Sequence, residues 1–158
     1  MWTSGPRFYS LEIFDHPVIL SYYTDMNNLQ IHIQHWRKSA ERDLGTATDL
    51  YHTKHYDACL FFCHLTLEKF LKSIVVQRTD DFAPPIHDLA KLASTAHITL
   101  TSDQVQLLRT ITTFNIAGRY DDAKLAFYKQ CTPPFTKKYL AITKGLYLWL
   151  EQEFQKKS

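Results

Sequence analysis

Arg119 and Tyr120 stand together after Gly118, and this pair can do recognition chemistry. A guanidinium matches two phosphate oxygens, while a neighbouring phenol can stack on a base or bond to a ribose. The same residues also suit a structural role, with the Arg bonding helix-end carbonyls and the Tyr packed on the core. A second set, His64, Glu68 and Lys72, recurs every fourth residue. With Asp57 it falls within about 80° of arc at 100° per residue, a narrow polar stripe on an otherwise apolar segment. Lys72 can meet phosphate while Glu68 orients either that lysine or a ribose hydroxyl. The plainer alternative is an i, i+4 salt bridge on the solvated edge of a buried helix, which we favour for Glu68 and Lys69.

Other reactive residues point to less. His55, Cys59 and Cys63 lie on one straight helix and cannot surround a tetrahedral ion, so neither a metal nor a cofactor is expected. Three cysteines without a secretory signal point to reduced thiols and the cytoplasm. His87 and Asp88 open a short helix, where either can cap it. Lys137, Lys138, Lys156 and Lys157 read as a solvated basic face, too sparse to make a nucleic-acid groove. The formal net charge of +2 neither requires nor excludes a polyanionic partner.

The elements that must position these residues are helices. The chain has 45% apolar residues over 158 positions and only 4 Gly, enough material for one packed domain. From Asp25, read as an N-cap, to about Tyr51, the series Leu29, Ile33, Trp36, Ala40, Leu44, Ala47, Leu50 has helical spacing. A second helix, about Tyr56 to Gln77, is apolar nearly all round and must be buried. A short helix spans about His87 to Ala96, and Thr101-Ser-Asp-Gln104 is a capping box opening another. Arg119 to Asp122 form a turn before a short helix to about Gln130, and Pro133 and Pro134 precede a last helix from about Phe135 to Gln155. The prediction is an all-α, up-and-down bundle of four to five principal helices plus short extra helices. Residues 1–24 read as an arm packing on the domain or a partner, and residues 25–158 as the domain. Arg7, Glu12, Asp15, His16 and Pro17 break any signal-peptide core, and no apolar run approaches membrane-span length.

The order Trp36, Ala40, Asp43-Leu44, Ala47, Leu50, Tyr56-Asp57-Ala58, Phe62, His64, Leu67 to Lys72, Ile86 to Leu89, Leu92, Asn115 and Gly118-Arg119-Tyr120 resembles the HEPN family across about residues 33–121. HEPN denotes a nucleotide-binding domain of higher eukaryotes and prokaryotes. The resemblance implies a helical bundle, commonly homodimeric, that binds nucleotide or RNA, sometimes beside a nucleotidyltransferase in toxin–antitoxin systems. It places the phosphate-binding set at Arg119, Tyr120, Lys72, His64, Glu68 and Asn115.

Many relatives that cut RNA carry an Arg followed four to six residues later by a His. Here His97 is the last histidine, and no Arg has a His at that spacing. Cleavage through a ribose hydroxyl needs a proton acceptor with a pKa near neutrality, so the omission argues against the family's nuclease chemistry. The expectation is a non-catalytic nucleotide- or RNA-phosphate-binding module. Two alternatives stay open, an interaction module for a nucleotidyltransferase-type protein and a metal-independent ribonuclease using His64 or Glu68 as base.

Overall fold

The computed structural model of the protein is described over residues 17–116 and 121–156, and for side chains from Asp25 onward. Six helices occupy this span: α1 Pro17–His52, α2 Tyr56–Thr79, α3 Leu89–Thr95, α4 Ser102–Thr112, α5 Asp121–Gln130 and α6 Pro133–Gln155. No strand occurs among the described residues. None of the described helices is long and apolar enough to cross a membrane.

The sequence of α2 is apolar on most sides, and most of its surface is covered. It packs against α1, α6, α3 and α4. Ala47 of α1 meets Cys59 and Cys63, while Leu29 and Ile33 meet Val76, so α1 runs antiparallel to α2. Leu140 joins the first of these clusters and Phe154 the second, which sets α6 parallel to α2. Arg78 ties three helix ends together, donating to the Ala96 carbonyl at 3.0 Å and the Glu153 carbonyl at 2.8 Å. These acceptors belong to the last turns, whose carbonyls have no partner within their own helices.

Local chemistry sets most helix starts. Asp88 caps α3 by accepting from the Lys91 N–H, and Thr101 and Gln104 form the reciprocal capping box of α4. Thr132 caps α6, so Pro133 and Pro134 are its first residues and not a spacer before it. Proline is tolerated there because the first N–H groups of a helix have no internal acceptor. The start of α1 also differs from expectation. The helix begins at Pro17, so Asp25 lies two turns inside it and is not an N-cap. Residues 1–16 of the expected arm lie outside the described residues.

One aromatic cluster bears directly on the site. Phe114, fully buried just beyond α4, meets Phe127 of α5 at 5.7 Å and Tyr139 of α6 at 5.1 Å between ring centroids. It anchors the point from which Asn115 and Ile116 lead toward Arg119.

Candidate functional site

Ile116 and Asp121 both line one groove between the start of α2 and α5. Its volume is about 470 Å³, and Asp57, Lys124, Leu125 and Tyr128 contribute to its walls. A contiguous recess of about 270 Å³ adds Ala58 and Phe61. Leu125 and Tyr128 are 56% and 64% exposed, so the α5 wall carries unusually open apolar surface. Asp57, Asp121 and Asp122 outnumber Lys124 along these walls. Such a lining suits stacking and ribose hydroxyls, whereas a phosphate there needs a further cation. Arg119 and Tyr120 fall in the four-residue connection between Ile116 and Asp121, outside the described residues.

Farther along α2 the polar stripe turns inward. His64 is fully buried, and Glu68 and Lys72 nearly so. Lys72 Nζ donates to Glu68 Oε1 at 2.7 Å and lies 5.3 Å from the centre of the Trp36 ring. The other carboxylate oxygen, Oε2, is 3.0 Å from His87 Nδ1. His64 Nε2 lies 2.9 Å from the His87 carbonyl. Because a carbonyl only accepts, His64 carries its proton on Nε2. Its Nδ1 is then a buried atom without a hydrogen-bond partner, 3.7 Å from Glu68 Oε2.

Two shifts follow from this packing. Burial pushes the His64 imidazole below its ordinary 6.5, and the neighbouring Glu68 carboxylate does not reverse that. For Glu68, burial alone would raise the carboxyl, but hydrogen bonds from Lys72 and His87 outweigh it and hold the group below 4.5. The arrangement is a buried Lys72–Glu68 ion pair with one exposed hydrogen-bonding neighbour, His87, whose side chain is 63% accessible.

The expected site residues therefore separate into groups. His64, Glu68 and Lys72 come together as a buried network, not on a solvated edge, because Trp36 and the His87 segment cover them. Lys69 leaves that stripe and pairs with Asp43 of α1, itself 2% exposed. Asn115 is half-buried, one residue before the groove-lining Ile116. His87, read as a cap, is instead the partner of Glu68, while Asp88 does the capping. Asp43 had a legible signal, since an acid among Ala40, Leu44 and Ala47 on an inward face needs a buried partner.

Among the described residues no three His, Cys, Asp or Glu side chains are placed to hold a metal ion. All three cysteines are free and buried, and burial pushes the Cys131 thiol up to about 12. A separate groove of about 500 Å³ lies between α1 and α6, where Arg37 pairs with Glu151 at 3.0 Å and covers the Phe154 ring. It contains none of the residues singled out above.

Two crystal structures share this architecture. TT1696 from Thermus thermophilus superposes with a TM-score of 0.65 at 18% identity, over 76% of this chain and 96% of its own. ST0689, described as an archaeal HEPN homologue, gives 0.61 at 18% identity, over 78% and 98%. No curated protein matches the sequence. The model of the HEPN domain matches residues 33–153, which extends the resemblance through α5 and most of α6. By that match across most of its length, the chain belongs to the HEPN domain family.

Proposed function

We propose that the protein is a HEPN module that binds a nucleotide or an RNA phosphate in the groove between α2 and α5, with Arg119 supplying the cation and Tyr120 a stacking surface. One observation carries the reading: Ile116 and Asp121, the residues flanking Ala117 to Tyr120, line the same groove. The shortness of the connection between these two groove-lining positions supports assigning Arg119 and Tyr120 to the same groove. Phe61 offers a ring for a base, and Asp57 a carboxylate for a ribose hydroxyl. Lys72 acts at a distance in this account, holding Glu68, which in turn bonds His87. Binding without cleavage is the reading that the missing Arg-to-His spacing supports.

Chemical-shift mapping with ATP and with a short RNA tests the location. Perturbations gathered on Phe61, Asn115, Ile116 and Lys124 support it, and perturbations confined to the α1/α6 groove contradict it.

A second reading has its own support. The exposed Leu125 and Tyr128 on α5 suit a protein partner, whether a second copy in a homodimer or a nucleotidyltransferase-type protein. Under that reading Leu125→Glu disrupts assembly, measured by sedimentation, while nucleotide affinity is absent from the start. Toxin–antitoxin pairing is the setting that family membership suggests for either case.

A further inference from the structure

We propose that His87 is a phosphodiester contact, made by the imidazole Nε2 that Glu68 turns outward; this rests on the groove reading above. Exposed side chains ordinarily sample several rotamers, but this one is held. Its Nδ1 is 3.0 Å from Glu68 Oε2, and its own carbonyl accepts from His64 Nε2 at 2.9 Å. Glu68 is in turn fixed by Lys72 at 2.7 Å. One buried carboxylate thus holds the exposed ring, while buried Lys72 fixes that carboxylate and buried His64 bonds the backbone of the same residue. That is a costly arrangement for a surface residue, since each of the three had to leave water.

With Nδ1–H donating to Glu68, the ring nitrogen facing away is Nε2, and the side chain is 63% accessible. Protonated, the ring donates twice, inward to the carboxylate and outward to an anion. A charge-assisted bond to a phosphodiester oxygen is the matching chemistry. The charged and titratable groups facing His87 are Glu68, His64 and Lys72 from α2, and its neighbour Asp88, which is engaged in capping α3. Burial pushes the His64 imidazole down from its ordinary value.

The position fits the groove. Phe61 and Glu68 lie on the same face of α2, seven residues apart, or about 10 Å along the helix. That distance is short beside the four or more nucleotides that single-strand-binding grooves track. In the proposal, a strand leaving the groove passes over the covered stripe of α2 and meets the exposed His87 ring with a phosphate.

The test is fluorescence anisotropy with a labelled single-stranded RNA lacking terminal phosphates, so that the ligand's charge does not change with pH. Affinity is measured at about pH 6 and about pH 8, at constant ionic strength. The wild type should bind about tenfold more tightly at the lower pH, the worth of one charged hydrogen bond. His87→Asn, whose amide N–H takes the place of the inward Nδ1–H, should bind with no such difference; His87→Gln is the second variant if the first melts early. A purely structural tie would lower the melting temperature without altering the pH dependence of affinity. Equal pH dependence in wild type and variants overturns this proposal alone, provided that Arg119→Ala still weakens binding. Absence of RNA binding by the wild type at both pH values overturns it together with the groove reading.

Discussion

Lys72 Nζ lies 2.7 Å from Glu68 Oε1, with both side chains more than nine-tenths buried. A residue that its spacing left open as a phosphate contact is already committed to a carboxylate inside the bundle. The consequence for the proposed function is a division of labour, in which α2 supplies a rigid charged framework and recognition is assigned to residues outside it, Arg119 and Tyr120 above all.

Removing one member of this pair leaves the other charged and buried. Lys72→Met should cost about 3 kcal/mol, the usual penalty for an orphaned internal charge. Urea unfolding measures it, and Glu68→Gln combined with Lys72→Met should cost less than the sum of the single changes. A loss below about 0.5 kcal/mol for Lys72→Met is what a surface pair would give, and would contradict the burial.

Stability should fall in two stages as pH drops. In the unfolded chain His64 takes a proton near 6.5, but in the folded chain burial holds it neutral to lower pH. The unfolded state then binds more protons, so stability declines from about pH 6.5 downward. Glu68, held below 4.5 by Lys72 and His87, adds a second loss below that value. His64→Gln keeps a donor for the His87 carbonyl and should remove its part of the first stage. Urea midpoints at about pH 7.5, 5.5 and 4 test this, and identical pH profiles for wild type and variant would exclude His64 as the source.

The Thr101 hydroxyl accepts from the Gln104 N–H, and the Gln104 side chain returns a bond to Thr101. Thr101→Ala should therefore cost about 1 kcal/mol. Because α4 ends at the anchor that carries Asn115 and Ile116, the change should leave ligand affinity intact when measured well below the melting temperature. A larger loss of affinity than of stability would link the cap to the site.

Patterns set by backbone chemistry were readable in advance. The Thr101 to Gln104 box lies where its residues require, and α2 is largely buried, as its mostly apolar surface demands. What periodicity lacks is knowledge of the cover. The spacing of His64, Glu68 and Lys72 assigns them to one face, but only the packing of Trp36 and the His87 segment decides that this face is internal. Asp25 misled for a related reason: a good capping residue also fits inside a helix, and Pro17 opens α1 eight residues earlier. The groove beside Ile116 was not legible, since it is formed by α2 and α5, which are far apart in sequence.

The central claim is that this HEPN module binds nucleotide or RNA phosphate through Arg119 at the α2/α5 groove. Titration calorimetry with ATP, GTP and a short RNA tests it most directly. At least one ligand should bind saturably to the wild type, with affinity reduced about tenfold or more, near 1.4 kcal/mol, in a folded Arg119→Ala variant. No binding by the wild type, or equal affinity after the substitution, would contradict the account.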